Sequence, residues 1–239
     1  MTKNAFTALR QGEMVLLYDF DDRERETDFA IRSDMVTSHD ICRMRNDAGG
    51  LICTAIPFVA AKKLGLPFAR EVLRNCAMVE QLGDIPYDPS NNSSFSLWVN
   101  HRDTFTGITD HDRTKTVNAI SDVVQAVMNG VPVSFKEQFR TPGHMPVLIA
   151  AKHLLSQRHG QTELSVAMAE MSGIIPSITI CEMLDDESGY ALSKEDAIRY
   201  AKRHDLAFVE GSEVLDRWEK VAYPKAECTD PLAAAVNRI

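Results

Sequence analysis

Long hydrophobic runs are missing from this 239-residue chain. The longest, LICTAIPFVAA at residues 51–61, is too short and too interrupted to span a bilayer. The first fifteen residues, MTKNAFTALRQGEMV, contain no apolar stretch of signal-peptide length. We therefore expect a cytoplasmic protein with no membrane partner.

Positive charge is also in short supply. Lys and Arg number 26 against 34 Asp and Glu, which gives a formal net charge of −8. An acidic chain of this kind is a poor match for a phosphate backbone, so we expect no nucleic-acid partner and no polybasic membrane anchor. A small anionic ligand is still permitted, because one pocket can be basic on an acidic protein.

Cysteine is sparse and widely spaced. The chain contains five cysteines and no C-x-x-C motif. This spacing predicts neither a disulfide framework nor a zinc ribbon, and we expect most of these side chains to be small buried hydrophobic groups. The five are Cys42, Cys53, Cys76, Cys181 and Cys228.

Strand-like and helical segments alternate along the chain. Runs rich in β-branched and aromatic residues recur at MVLLY, LICTAI, FSLWVN, PSITIC and LAFVE, with helical patterns between them. No part is all-β or all-α for long. The pattern predicts an α/β (α+β) fold in one domain over residues 1–239, with a mixed sheet flanked by helices.

Capping residues mark the predicted helix boundaries. We predict one helix from Asp110, as its cap, to Asn129, and a second from about Thr162 to the residue before Gly173. Two more are predicted from Ser193 and from Ser212. The segment YDPSNNSSF, Tyr87 to Phe95, is dense in turn-forming residues and is predicted to be a surface loop.

The most charged segment, DFDDRERETD from Asp19 to Asp28, directly follows the apolar run MVLLY. Its simplest interpretation is a solvated turn between strands. A calcium loop of the EF-hand type is excluded, because glutamate occupies its sixth position and alanine its twelfth. A further interpretation is a catalytic metal and sugar site at the carboxyl end of a strand, with Glu24 and Glu26 as metal ligands and Arg23 and Asp28 against the substrate.

A second candidate site lies at RHGQT, Arg158 to Thr162, just before a predicted helix. A guanidinium, free backbone N–H groups and the positive end of the helix dipole together suit a phosphate group. The alternative is a surface arginine with no ligand, which is the commoner meaning of an isolated R-x-G.

Several motifs in one order carry a family resemblance: DDRERETD, GGLICTA, FTGITDHDRTKT, TPGHMPVL and RHGQTELSVAMAEMSGIIPSITICEM. Together they resemble 3,4-dihydroxy-2-butanone 4-phosphate synthase, most closely its archaeal, monofunctional form, over roughly Asp19 to His204. The resemblance implies that family's fold and a lyase of riboflavin biosynthesis that converts ribulose 5-phosphate to 3,4-dihydroxy-2-butanone 4-phosphate and formate. It also implies a divalent cation, Mg²⁺ or Mn²⁺, and a homodimer with active sites near the interface.

The resemblance assigns roles by motif. Glu24 matches the metal-binding glutamate, and Glu26 lies close to metal and sugar. Glu182 in ICEM and His144 in TPGH match catalytic positions, and Glu26 is a third catalytic candidate. The substrate-binding candidates are Arg23, Glu24, Asp28, Cys53, Thr106, Arg158, His159, Gly160, Gln161, Thr162 and Glu182. For Cys53 we favour a packed core thiol, because nothing in the reaction demands a thiolate.

One position departs from the family pattern. Gln161 stands where the family has a metal-binding histidine, and a histidine is found at His159 instead. Because Mg²⁺ prefers oxygen ligands, we hypothesise that metal binding survives through Gln161 with reduced turnover. The alternative is a catalytically impaired relative that binds a sugar phosphate without converting it.

Overall fold

The computed structural model describes residues 3–76 and 92–222. Within them, seven strands form one sheet: β1 (Val15–Tyr18), β2 (Thr27–Arg32), β3 (Cys53–Ile56), β4 (Phe95–His101), β5 (Phe139–Ile149), β6 (Ile178–Glu182) and β7 (Ala207–Glu210). The strand order is β4-β5-β3-β6-β2-β1-β7. β1 and β7 run parallel, as do β3 and β5, and the other neighbouring pairs run antiparallel. The predicted mixed sheet is confirmed.

Helices flank this sheet on both faces. In the described residues they are α1 (Ala5–Arg10), α2 (Ser38–Arg43), α3 (Phe58–Leu64), α4 (Ala69–Arg74), α5 (Asp110–Met128), α6 (Phe135–Gln138), α7 (Gln161–Ser172), α8 (Lys194–Arg203) and α9 (Gly211–Ala222). A π-helical segment, Met44–Ala48, directly follows α2. Side chains of α1, α7 and α9 join the core on one face of the sheet, and side chains of α2, α3, α5 and α8 join the core on the other.

The central strands are covered on both sides because their side chains alternate between two apolar layers. In β1, Val15 and Leu17 belong to the layer under α7, whereas Leu16 belongs to the layer under α2 and α8. All three side chains are fully buried. A strand of this kind is a rigid support for the charged segment that follows it.

The predicted helices are present, with small differences at their ends. α5 is capped by Thr109, whose side chain accepts from the backbone N–H of Asp112, and Asp110 is its first helical residue. Gly173 ends α7 with φ +66°, a conformation that glycine adopts without steric cost. Ser193 caps α8, as predicted.

Two features differ from, or escaped, the sequence prediction. The acidic segment ends earlier than predicted, because Asp28 belongs to β2 and is buried. Neither β2 nor β5 was predicted as a strand, and β5 contains a cis peptide bond between Thr141 and Pro142. Most of the predicted loop from Tyr87 to Phe95 lies outside the described residues. No helix in the described part of the chain is long and apolar enough to cross a membrane.

Candidate active site

A cleft of about 300 Å³ opens where the N-terminus of α7 meets the start of β2, the start of β3 and the end of β6. The side chains at these strand ends point toward α7, because residues two positions along each strand lie in the core beneath that helix. The lining residues are Glu24, Glu26, Asp28, Cys53, Ser93, Ser94, Phe95, Leu148, Arg158, Gln161, Thr162, Ile180 and Glu182.

The acidic segment is shaped by Asp19, the first residue after β1. Its buried carboxylate accepts from the backbone N–H groups of Glu24 at 3.0 Å and Glu26 at 2.9 Å, and from Nη1 of Arg23 at 3.1 Å. The backbone N–H of Asp19 in turn donates to the carbonyl of Glu26 at 3.0 Å. The turn passes through Arg25 at φ +60°, a conformation that L residues rarely adopt. This closed loop directs Glu24 and Glu26 into the cleft.

Two carboxyl groups face each other across the sheet. Asp28 on β2 is paired in register with Glu182 on antiparallel β6. Both carboxylate oxygens of Asp28 are buried without a hydrogen-bond partner in the described structure. Burial, and then the nearby carboxylates of Glu182 and Glu26, raise the pKa of Asp28 well above its ordinary value. Asp28 therefore favours its protonated form.

The pKa values of two other groups at the cleft, Glu26 and Cys53, are also raised. Burial and then the charge of Glu24 raise the pKa of Glu26. Burial, followed by the charge of Glu182, raises the pKa of the Cys53 thiol well above its usual range. The thiol is thus held in its neutral form, which agrees with the expectation of a packed core cysteine.

A close backbone approach orients Glu182. The π-helical segment ends at Gly49, at φ +86°, and Gly50 then passes directly over Glu182. A Cβ atom on Gly50 would lie 2.5 Å from Oε2 and 2.6 Å from the backbone oxygen of Glu182, so only glycine fits there. The next N–H, that of Leu51, donates to Oε2 at 2.8 Å. Glu182 is therefore held in one orientation.

Arg158 is held by Glu163, which lies in the first turn of α7. The fully buried carboxylate of Glu163 accepts from Nη1 of Arg158 and, with its other oxygen, from the backbone N–H of Ala151 at 2.8 Å. The pair crosses over Gly160, where a Cβ atom would lie 2.0 Å from Nη1 of Arg158. Gly160 precedes α7 without a side-chain cap. The guanidinium is thereby fixed beside the positive end of a helix.

Gln161, the first residue of α7, is 7% exposed and spans the gap to the acidic segment. Its Nε2 donates to the backbone oxygens of Leu17 at 3.1 Å and Glu26 at 3.0 Å. Its Oε1 is buried and has no hydrogen-bond partner in the described structure. His159 packs against the ring of Phe20, with 5.4 Å between ring centroids, and does not line the cleft.

Thr106 and His144 do not line this cleft. His144 lies on β5 and exchanges two contacts with Asn100: its N–H donates to Oδ1 at 2.8 Å, and Nδ1 lies 3.1 Å from Nδ2. Thr106 lies in the loop before α5, where the carboxylate of Asp112 accepts from its N–H at 3.1 Å. His144 is four residues from Leu148, which lines the cleft, and four residues of strand span about 13 Å.

Eight of the residues predicted from the sequence line this one cleft. The cleft unites Glu24, Glu26, Asp28, Cys53, Arg158, Gln161, Thr162 and Glu182. Arg23 lies behind it, against Asp19 and Glu24.

Sequence reasoning gave no role to Asp19, Gly50 or Glu163. Each position does carry a local signal. Asp19 is an acidic residue directly after a buried strand, Gly50 belongs to a pair of glycines, and Glu163 is an acidic residue in the first turn of a helix.

The donor set suits a hard cation. Four carboxyl groups, Glu24, Glu26, Asp28 and Glu182, line the cleft together with one guanidinium, that of Arg158. A cation would offset this excess of acidic groups. Among the described residues, no cluster of three or more His, Cys, Asp or Glu side chains has the arrangement of a metal site. Glu24, Glu26 and the unpartnered Oε1 of Gln161 make a different donor set, because glutamine is not one of those four residue types.

Comparison with known proteins gives a consistent result. The model of the family described as 3,4-dihydroxy-2-butanone 4-phosphate synthase matches residues 3–217. Proteins of that name are 51% identical in Archaeoglobus fulgidus, over 91% of this chain and 94% of that protein, and 48% identical in Methanosarcina acetivorans, over 94% and 92%. A synthase structure in complex with two magnesium ions shares the fold, with TM-score 0.76 and 24% identity over 91% of this chain and 96% of that one. The chain belongs to the 3,4-dihydroxy-2-butanone 4-phosphate synthase family.

Proposed function

We propose that this chain is the lyase of riboflavin biosynthesis that converts ribulose 5-phosphate to 3,4-dihydroxy-2-butanone 4-phosphate and formate. The observation that carries the proposal is the cleft itself. It places an acidic cluster for the sugar end of the substrate opposite Arg158 and the start of α7, which suit the phosphate end.

We further propose that Glu24, Glu26 and Gln161 hold one divalent cation, Mg²⁺ or Mn²⁺. Such a cation, when bound, polarises carbonyl and hydroxyl oxygens and lowers the cost of an enediolate. The support is the charge of the cleft and the unpartnered oxygen of Gln161. His159 is not included, because its ring packs on Phe20.

The protein's own groups then have distinct tasks. Arg158, Thr162 and the first N–H groups of α7 bind the phosphate and fix the direction of the sugar chain. Glu182, oriented by the N–H of Leu51, accepts and returns a proton at the carbon chain. Asp28, paired in register with Glu182, hydrogen-bonds a substrate oxygen at the same end of the cleft. Cys53 remains a thiol and packs against the substrate without reacting.

The test of this function is formate release from ribulose 5-phosphate by the purified protein with Mg²⁺, and with EDTA as the control. We expect formate with Mg²⁺ and its loss in EDTA. Glu182→Gln should abolish release while leaving ribulose 5-phosphate binding, measured by calorimetry, within a few-fold of wild type. Folded protein that binds the substrate but releases no formate would overturn the proposal.

The alternative of a catalytically impaired relative is not favoured, because the archaeal relatives at 42–51% identity carry the name of the active enzyme. Gln161→His decides the matter experimentally. A rate within a few-fold of wild type shows that glutamine serves at this position. A rise of two orders of magnitude in kcat would mean that the natural chain is impaired.

A homodimer is the second part of the proposal. His144 and Thr106 are catalytic and substrate-binding candidates, yet neither lines the cleft of its own chain. In the same loop, Phe105 is 93% exposed and Ile108 is 51% exposed, so apolar surface lies beside Thr106 for a second copy to cover. We propose that a second copy brings His144 and Thr106 to the cleft.

Hybrid dimers test this arrangement. His144→Ala and Glu182→Gln are each expected to be inactive alone. If every site combines two chains, a re-equilibrated equal mixture contains hybrids with one intact site, and about a quarter of wild-type activity returns. No recovery, in a mixture shown to exchange subunits, would contradict the shared site.

Two further proposals concern the chain as a whole. We propose that residues 1–239 act as one domain, which the single sheet of the described residues supports. We also propose a cytoplasmic location, since the cysteines Cys42, Cys53, Cys76 and Cys181 are free and such thiols persist in a reducing compartment.

A further inference from the structure

The amide of Gln161 is fixed in one orientation. Its nitrogen donates to two backbone carbonyls, those of Leu17 and Glu26, at 3.1 and 3.0 Å. Both partners can only accept, so a reversed amide would bring its oxygen against two other oxygens and lose both hydrogen bonds. The amide oxygen must therefore face away from these carbonyls. It is buried there without a hydrogen-bond partner among the described residues.

A buried oxygen without a partner destabilises the folded chain unless something binds it. Gln161 lines the cleft together with Glu24 and Glu26, and its Nε2 donates to the backbone oxygen of Glu26. The same amide thus holds the backbone of Glu26 and turns its own oxygen to the cleft. A divalent cation is a partner that these three oxygen-bearing side chains can share.

We propose that Gln161 makes this an all-oxygen metal site, whose preference for Zn²⁺, Ni²⁺ and Co²⁺ over Mg²⁺ and Mn²⁺ is smaller than a histidine at position 161 would give. The inference rests on the proposed function and deepens it, since it concerns which cations the site accepts. Carboxylate and amide oxygens suit Mg²⁺ and Mn²⁺, whereas an imidazole nitrogen raises affinity for the later transition metals.

The surroundings of Gln161 explain why an amide is accommodated here. A neutral imidazole that coordinates a metal through one nitrogen has a single N–H left, so it satisfies only one of the two carbonyls. A carboxylate at 161 would have no donor for either carbonyl. Glutamine alone among the oxygen-donating side chains of this length offers two N–H groups to the protein and an oxygen to the cation.

Metal competition tests the selectivity. We would titrate the purified protein with Mn²⁺ and with Zn²⁺ by calorimetry and compare the ratio of the two dissociation constants in wild type and Gln161→His. We expect the histidine variant to shift the ratio toward Zn²⁺ by at least about tenfold. The matched control is Gln125→His, the same substitution on the exposed face of α5, which should leave the ratio unchanged. A ratio that differs by less than twofold between wild type and Gln161→His would overturn the proposal.

A spectroscopic measurement on the wild-type protein keeps the proposal falsifiable if the variant does not fold. Electron spin echo modulation of bound Mn²⁺ reports nitrogen atoms coordinated to the metal. We expect no coordinated nitrogen in wild type and one in Gln161→His. A coordinated imidazole nitrogen in wild type would refute the all-oxygen site.

Formate release measured on the same samples separates the two conclusions. Protein that releases formate with Mg²⁺ but shows a nitrogen ligand overturns the all-oxygen site alone. Protein with an oxygen-only Mn²⁺ site that releases no formate overturns the proposed function alone.

Discussion

Asp28→Asn should stabilise the protein while it damages the active site. Both carboxylate oxygens of Asp28 are buried without a hydrogen-bond partner in the described structure, and Glu182 stands opposite in the sheet. A buried polar group that is left unsatisfied costs about 1–3 kcal/mol, and a charged one costs more. Asparagine has nearly the same shape, carries no charge and has an amide N–H that can donate to the facing Glu182 carboxylate, so we expect the free energy of unfolding at pH 8 to rise by about 1–3 kcal/mol.

The sign of the pH dependence follows from the raised pKa of Asp28. Its carboxyl group titrates near 3.8 when unfolded and well above that value when folded, because of burial and the charge of Glu182. Between those two values the native state binds a proton that the unfolded state has lost, so stability falls as the pH rises through this window. Asparagine removes this dependence, and its advantage over aspartate should therefore be larger at pH 8 than at pH 5.

Urea and thermal unfolding at pH 5 and pH 8, in EDTA, measure this difference. For a chain of this size, 1 kcal/mol corresponds to about 2–4 °C in Tm. The control is Asp122→Asn on the exposed face of α5, expected within about 0.5 kcal/mol of wild type at both pH values. A loss of stability at pH 8 in Asp28→Asn, or a gain that is equal at both pH values, would refute the reasoning. Formate release, measured with Mg²⁺, should fall in the same variant, because an amide replaces a carboxyl group that lines the cleft.

Three other substitutions have separate readouts. Glu163→Gln removes the negative charge that holds Arg158, and a hydrogen bond to a charged group contributes about 1.5–3 kcal/mol. KM for ribulose 5-phosphate should therefore rise at least about tenfold, with a smaller change in kcat. An unchanged KM contradicts the role of the pair. Gly50→Ala forces a Cβ atom against Glu182 and should lower kcat by about 100-fold in protein whose circular dichroism matches wild type. Asp19→Asn removes the negative charge that strengthens the hydrogen bonds from Arg23, Glu24 and Glu26, so Mn²⁺ affinity should drop about tenfold. Equal affinity in wild type and variant would show that the loop keeps its shape without the Asp19 charge.

The sequence predicted those features that depend on neighbouring residues. The period of apolar residues in α5, the glycine at the end of α7 and the serine before α8 are local signals, and the helices follow them closely. The sequence also proposed the acidic segment as a candidate site, and Glu24, Glu26 and Asp28 line one cleft in the structure. The end of the segment was not predicted, because Asp28 is a polar residue inside a strand, and polar residues there argue against a strand unless the opposite strand supplies a functional partner.

The contacts that orient the site join residues far apart in sequence, and no local pattern contains them. Gln161 reaches Leu17 and Glu26, which are 144 and 135 positions away. Glu182 accepts from Leu51, 131 positions away. The family resemblance assigns a role to Glu182 and Gln161 but not the hydrogen bonds that fix them, since those follow from strand register and from the position of α7.

The loop between Thr104 and Ile108 has its shape before any partner arrives. Three of its backbone N–H groups donate to the single carboxylate of Asp112, with Phe105 exposed at its tip. Ordering a flexible loop on contact costs about 1–2 kcal/mol of conformational entropy per residue, and this loop is ordered when the chain folds. In the proposed dimer, association is then limited by collision and orientation instead of by loop rearrangement. If Phe105 packs against the second chain in that dimer, the lifetime of an assembled site after dilution depends on how slowly this contact breaks.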